Sequence, residues 1–328
     1  MNHLQKLFSP SLITLAVLLT AAPMASWAAT APDQGTASGF TVLSVGTAIP
    51  PSTAADATAA ASTTGSTITG DVGSAGAVTL TGSTINGNLV YTGALTNTGS
   101  TISGTSTQPL PVQVITDFNT AYGQYANISC DQALTTLDGL TLSPGVYCVD
   151  AAATSTGGVL TLNGPSNGTW IFKIGTLGTG ALTGTGFSVV MTGGGVPCNV
   201  YWQVAEAATM TDSNFVGTIL AGAAITITRG TFDGNALAKA EVTLTDATVT
   251  GCNATGGQGH HGHHGHHSHH QCNQGVGNGP EGCDPGNSNL RNPFRSDDDQ
   301  ESNDEDGGTS GDPGRKGGND HDNDHDND

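Results

Sequence analysis

The residues best suited to metal chemistry lie in one short segment of this chain. Eight histidines fall between residues 260 and 270, interleaved with glycine and serine. Neutral imidazoles at this density bind Ni²⁺, Cu²⁺ or Zn²⁺. The predicted ligands are His260, His261, His263, His264, His266, His267, His269 and His270. An incidental low-complexity linker explains the same composition equally well, so both interpretations stay open.

The rest of the chain offers little for catalysis. Between Thr30 and Cys252 the cationic residues are Lys173, Arg229 and Lys239, and histidine is absent. The absence of histidine removes the usual catalytic triads. The acidic residues are scattered, whereas polysaccharide lyases and hydrolases need paired carboxylates or a base with cationic helpers. We therefore predict that the protein is not an enzyme and requires no cofactor.

Composition restricts the class of protein further. The 328 residues include 8 Lys and Arg against 27 Asp and Glu, which gives a net charge of −19. Nucleic acid is an improbable partner, because its phosphates require clustered cationic side chains. A charged fraction of 11% together with 48 glycines is atypical of helical and α/β enzymes. These values favour one Gly- and Thr-rich β body with appended segments.

The N-terminal residues have the order of a secretory signal peptide. Lys6 precedes a short apolar run at 12–19, and small residues follow at 26–28. We predict a signal peptide over 1–28 and a secreted protein, in preference to a retained anchor. The run is too short to span a bilayer comfortably and no later segment approaches that length, so no transmembrane anchor is expected.

In an exported protein, the six cysteines are expected to form disulfides. The sequence alone does not select one pairing. We predict that neighbours pair, and no pair has the Cys-x₂-Cys spacing of a zinc site. The predicted bonds are Cys130–Cys148, Cys198–Cys252 and Cys272–Cys283.

The body is predicted to end near Cys252. Residues 253–328 contain 15 acids and 4 bases and few apolar residues. Such a segment cannot bury enough apolar surface to fold. We therefore expect a His-rich and then acidic disordered tail after a body at 29–252.

Inside the body, one seven-residue motif recurs with a period of 17 residues. Its six copies begin in two blocks, at Thr64, Thr81, Thr98, Thr211, Thr228 and Thr245. A short fixed period without helical character predicts a β-solenoid, in which each repeat forms one coil stacked on the next. One position would then form an inward ladder of Ile68, Ile85, Ile102, Phe215, Phe232 and Val249. Chance recurrence in a Gly/Thr-rich chain is the less favoured alternative.

A second strand precedes each motif and alternates apolar residues with hydroxyl residues. Alternation places the apolar side chains inside and the hydroxyl side chains outside. The outward positions form the predicted threonine set: Ser62, Thr64, Thr79, Thr81, Thr96, Thr98, Thr161, Asn163, Thr183, Thr185, Thr209, Thr211, Thr226, Thr228, Thr243 and Thr245. Two strands fit less well, because Thr63 and Asn97 would point inward.

One segment, at about 110–127, has helical periodicity instead. Ile115, Phe118, Tyr122 and Tyr125 share one apolar face after Pro111. This face predicts a helix packed along the flank of the solenoid.

The chain resembles the ice-binding-like family of secreted β-solenoids (the DUF3494 type) over roughly residues 38–252. The matching blocks, in order, include 40–43, 70–73, 140–147, 170–174, 199–204, 217–221 and 234–238. The resemblance implies a right-handed, irregular β-solenoid of triangular section with one long helix alongside. It also implies that coils need not stack in sequence order, so the two repeat blocks could be neighbours in space.

The resemblance further implies ice binding through a flat, helix-free face, although ice-contacting residues vary too much between members to be carried over by alignment. We predict that the threonine set is this face, because stiff branched side chains on a regular grid can hold ordered water. The simpler alternative is that threonine only fills exposed strands. A second outward set is less uniform and contains Asp233, so it is the less favoured face.

The alternative function is an exported surface or matrix adhesion protein. In that case the solenoid would bind a cell-surface or matrix polymer, and the His-rich tail would recruit divalent metal ions.

Overall fold

A computed structural model describes residues 29–48 and 51–253. Several predicted features lie outside the described residues. They are the signal peptide, the His-rich and acidic tail after residue 253 with its eight predicted histidine ligands, and the cysteines Cys272 and Cys283.

The described residues form short parallel strands, one α-helix and two 3₁₀ turns at Gly35–Gly39 and Pro197–Asn199. The helix α1 is Val112–Asn127. The strands in chain order are β1 Phe40–Ser44, β2 Ala60–Thr64, β3 Thr67–Thr69, β4 Asp71–Ser74, β5 Ala77–Thr81, β6 Thr84–Asn86, β7 Leu89–Tyr91, β8 Leu95–Thr98, β9 Thr101–Ile102, β10 Ser106–Thr107, β11 Gln132–Ala133, β12 Thr141–Leu142, β13 Gly145–Val149, β14 Ala153–Thr156, β15 Val159–Asn163, β16 Trp170–Ile174, β17 Leu182–Thr185, β18 Ser188–Thr192, β19 Val200–Val204, β20 Ala208–Val216, β21 Thr218–Ala221, β22 Ile225–Asp233, β23 Ala236–Ala238 and β24 Val242–Thr250.

Strand pairing divides the solenoid into three sides. The helix side runs β10-β7-β4-β1-β23-β21-β19-β16-β13-β11. The second side runs β8-β5-β2-β24-β22-β20-β17-β14, and the third runs β9-β6-β3-β24-β22-β20-β18-β15-β12. The long strands β20, β22 and β24 contribute their first halves to the second side and their second halves to the third. The mainly β solenoid with one helix is confirmed.

The coils do not stack in chain order. The last strand, β24, pairs with β2 on the second side and with β3 on the third. On the helix side β23 pairs with β1. The two blocks of 17-residue repeats are therefore adjacent in space, an arrangement that the family resemblance allowed.

The predicted apolar ladder fills the interior facing the third side. Phe215, Phe232, Val249, Ile68 and Ile85 pair in direct register and are buried, and Ile102 continues the register into the end coil. Because each side chain contacts its equivalent one coil away, the 17-residue period is also the packing period.

Glycine ends each motif because the coils approach closely at that corner. Gly234 has φ of 154°, and a Cβ there would overlap the carbonyl oxygen of Gly217 on the next coil. Any larger residue would both strain the backbone and separate the two coils.

The helix covers one side of the solenoid. Its buried residues Val114, Ile115, Phe118, Ala121 and Tyr125 pack with outward residues of the helix side, Leu43, Val146, Ile171, Leu220 and Leu237. The helix begins at Val112, two residues later than predicted, because Pro111 is extended and precedes the first turn. Tyr122 is only partly buried, and its hydroxyl donates to the Val204 carbonyl at 3.1 Å. Among the described residues, no helix has both the length and the apolar composition to cross a membrane.

Asp117 of the helix forms hydrogen bonds with the 3₁₀ turn at Gly35–Gly39. Its carboxylate accepts hydrogen bonds from the Thr36 amide at 2.8 Å, the Thr36 hydroxyl at 2.7 Å and the Gln113 amide at 2.6 Å. Burial acts to raise the Asp117 pKa, but these hydrogen bonds together hold it below its usual value.

The stability that Asp117 contributes should therefore depend on pH. A lowered folded-state pKa stabilises the protein above the unfolded pKa of about 3.9, and this contribution is lost as pH falls through the folded pKa. Asp117→Asn should reduce the free energy of unfolding at pH 7 by about 1 kcal/mol, because charged hydrogen bonds become neutral. Urea unfolding at pH 7 and pH 2.5 checks this: the difference between wild type and variant should shrink in acid. An equal difference at both pH values would contradict the assignment.

Two disulfides close loops of the body. Cys130 bonds to Cys148, and Cys198 bonds to Cys252. They are two of the three neighbour pairs that the sequence analysis predicted. The second bond ties the end of the last coil to the 3₁₀ turn that precedes β19.

Candidate functional site

The second side carries two straight columns of hydroxyl residues, which we call the threonine face. Strand register aligns eight coils, and each coil contributes an outward residue to each column. The first column is Thr154, Thr183, Thr209, Thr226, Thr243, Ser62, Thr79 and Thr96; the second is Thr156, Thr185, Thr211, Thr228, Thr245, Thr64, Thr81 and Thr98. Fifteen of these sixteen residues are threonine.

Thr161 and Asn163 do not belong to this face, so their predicted placement was wrong. They lie in β15, where Thr161 pairs with Thr141 and with Val190 on the third side. The alternation Leu-Thr-Leu-Asn is the same on every side of a solenoid, so it cannot tell which side a strand occupies.

Thr154 and Thr156 take the places predicted for Thr161 and Asn163. The sequence analysis missed them because the inward residue between them is Ser155, which breaks the apolar–hydroxyl alternation. Ser155 is buried and donates its hydroxyl to the Asp138 carboxylate, so this serine needs no apolar environment. A repeated Thr-x-Thr followed by a corner glycine would have been the better signal.

The threonine face is held by a buried layer beneath it. Inward residues such as Leu80, Ile227 and Leu244 are at most 2% exposed. The threonines between them are exposed or half-buried, and the helix covers a different side. Neighbouring coils lie about 4.8 Å apart and alternate residues about 6.7 Å apart, so eight coils extend the grid over about 34 Å.

The hydroxyls of the threonine face are available to solvent. Within the described part of the chain, none of the sixteen side chains donates or accepts a hydrogen bond with another protein group. The third side differs. There Thr101 donates to Thr84, Thr231 donates to Asn214 and Thr192 donates to Asn163. A hydroxyl with a protein partner is less free to hold water, so these third-side hydroxyls are less available to water than those of the threonine face.

The third side is also less regular. Asp233 lies among its outward residues, beside Val216 and Thr250 on the adjacent coils. Burial raises the pKa of the Asp233 carboxyl. Val159 and Val190 are 46% and 42% exposed on the same side. A surface that mixes a carboxylate, valines and threonines presents no uniform grid.

One long edge of the threonine face is a corner with left-handed backbone. Asp212, Arg229 and Asp246 have φ of 51°, 57° and 51° at positions where other coils have Gly65, Gly82 or Gly99. Arg229 bonds Asp212 through two nitrogens, at 2.5 and 2.8 Å. The hydrogen bond to Arg229 holds the pKa of Asp212 below its usual value. Arg229 and Asp212 thus pair with each other at the edge of the face, outside the two threonine columns.

The opposite edge carries a row of small residues, which we call the alanine column. It consists of the residues two positions before the first threonine column: Ala152, Ala181, Ala207, Ala224, Glu241, Ala60, Ala77 and Ala94. Backbone hydrogen bonds link the coils in this register, for example from Ile225 to Glu241 and from Val78 to Ala94. Seven are alanine, and the sequence analysis did not detect this pattern, although the spacing from each threonine is constant.

The two inward polar residues that were predicted have different environments. Thr63 is fully buried, and its hydroxyl has no hydrogen-bond partner among the residues that the structure describes. Asn97 lies in the end coil, where its side-chain oxygen accepts from the Ser100 amide at 3.0 Å and its nitrogen donates to the Ser100 carbonyl at 3.2 Å. These two hydrogen bonds hold the turn between Asn97 and Ser100 in the end coil.

The described residues contain no group of three or more His, Cys, Asp or Glu side chains that could hold a metal ion.

The chain is similar to known proteins both in sequence and in fold. The model of the ice-binding-like family matches residues 54–250. An ice-binding protein from Nostoc sp. (strain HG1) is 38% identical over 125 residues, which are 37% of this chain and 45% of that protein. The chain thus spans less than half the length of that curated relative.

Solved structures match over more of the chain. The crystal structure of an ice binding protein from an Antarctic biological consortium has a TM-score of 0.52 and 26% identity, covering 71% of this chain and 96% of that one. That of an ice-binding protein from the Antarctic ascomycete Antarctomyces psychrotrophicus has a TM-score of 0.50 and 27% identity, covering 67% and 98%.

Proposed function

The chain belongs to the ice-binding-like family, and on that premise we propose that it binds ice through the threonine face. The observation that carries the proposal is the register of fifteen threonines and one serine in two columns. Among the described residues, none of their side chains is hydrogen-bonded to protein. The proposed function needs neither a catalytic residue nor a cofactor.

The mechanism is adsorption to a surface that is already ordered. Threonine χ1 is stiff, so little side-chain entropy is lost when the face docks. Each hydroxyl can bond one water and each methyl can contact the next, at spacings of about 4.8 and 6.7 Å. No single contact is strong, but many act together because the stacked coils fix them in one plane. Adsorbed protein would then obstruct growth of the crystal beneath it.

We infer that the protein acts outside the cell. The two disulfides of the body support this, because such bonds persist in oxidising compartments. The residues that would direct export lie outside the described residues.

The direct test uses the full chain and single ice crystals in a nanolitre osmometer. Ice binding predicts that crystals are shaped and that their freezing point falls below their melting point. It also predicts inhibition of recrystallisation in a sucrose splat assay. Bovine serum albumin at equal mass is the control. Crystals that grow as unshaped discs at millimolar protein would overturn the proposal.

A further inference from the structure

The edge of the threonine face holds one chemical exception. In the alanine column, Glu241 lies between Ala224 on one neighbouring coil and Ala60 on the other. The Glu241 side chain is exposed, and the residues beside it have only a methyl group. The exception is near the middle of the eight coils, where a bound surface must pass over it.

Methyl and carboxylate groups affect a solid water surface in opposite ways. A row of alanines adds flat apolar area next to the threonines and requires no hydrogen bonds. A carboxylate keeps a shell of oriented water that does not match a lattice, and removing that shell is costly. Glutamate is also longer than alanine, so it must either turn away over the corner or stand above the plane.

We propose that the ice-contacting surface is three columns wide, with the alanine column as its third row, and that Glu241 limits the activity of this surface. This inference rests on the proposed function of the threonine face. The seven alanines contribute contact area, and Glu241 removes part of that area at the central coils.

Substitution in both directions tests the third column. Glu241→Ala completes the column and should raise thermal hysteresis about 1.5-fold to twofold at equal concentration, since a desolvation cost is removed. Ala77→Glu introduces a second carboxylate between Ala60 and Ala94 and should lower it by a similar factor. Asp233→Ala is the matched control, because it removes one acidic side chain from the third side and should leave activity unchanged.

The outcomes separate the two proposals. If the wild type does not shape ice, the proposed function fails. If the wild type shapes ice while Glu241→Ala and Ala77→Glu both retain its hysteresis, the alanine column lies outside the contact surface and this inference is overturned. A rise in Asp233→Ala equal to that in Glu241→Ala would also overturn it, because net charge would then be the cause. Circular dichroism and melting temperature confirm that each variant is folded.

Discussion

Thr226→Tyr is expected to reduce thermal hysteresis to about a tenth of the wild-type value or less, because adsorption depends on many contacts made at once. Thr226 lies in the first threonine column between Thr209 and Thr243, near the centre of the face. A phenol ring there would stand several ångströms above the plane of hydroxyls and methyls. A flat crystal surface could then no longer contact the coils on either side. Nanolitre osmometry at equal protein concentration measures the loss.

The matched control is Thr248→Tyr. Thr248 lies in β24, on the coil next to that of Thr226, but on the third side. It is exposed, and its side chain has no hydrogen-bond partner among the described residues. This variant should keep both its hysteresis and its melting temperature. If Thr248→Tyr lost activity and Thr226→Tyr kept it, the third side would be the binding surface.

The sequence predicted the regular coils well, for a physical reason. Where coils stack in register, each inward position repeats its residue type, so Phe215, Phe232 and Val249 recur at the packing period. The second-side threonines of those coils have the same spacing and were placed correctly. Sequence alone predicted the solenoid, the helix and most of the face because each depends on local periodicity.

The irregular coils could not be assigned in the same way. Ser155 replaces an apolar inward residue because it can donate to Asp138, which comes from a loop 17 residues earlier in the chain. Such compensation is visible only in three dimensions. The corner residues Asp212, Arg229 and Asp246 adopt a left-handed backbone that glycine normally occupies. The residue types at these three positions therefore did not predict a corner. Because Ser155 breaks the alternation that the strand of Thr161 keeps, Thr161 was assigned to the second side in place of Thr154.

Trp202→Ala should lower the free energy of unfolding by about 3–5 kcal/mol, the usual cost of removing a large buried aromatic side chain. Trp202 is fully buried, its ring stacks on Phe172 with centroids 4.0 Å apart, and the Phe215 ring lies at 5.0 Å. Its indole nitrogen donates to the Val216 carbonyl at 2.9 Å. Chemical denaturation at 4 °C measures the loss, and the melting temperature should fall by about 10 °C.

The same variant separates the scaffold from the face. Trp202 lies on the helix side and points into the interior, so the threonine face does not include it. Near 0 °C a destabilised but folded Trp202→Ala should retain most of its hysteresis, whereas Thr226→Tyr should lose activity at nearly unchanged stability. Trp202→Phe keeps an aromatic ring but not the indole donor, so it should be intermediate in stability. Loss of hysteresis in both tryptophan variants, with the fold retained, would contradict this separation. The positions of the threonines would then depend on the packing of the interior, and the threonine columns alone would not explain binding.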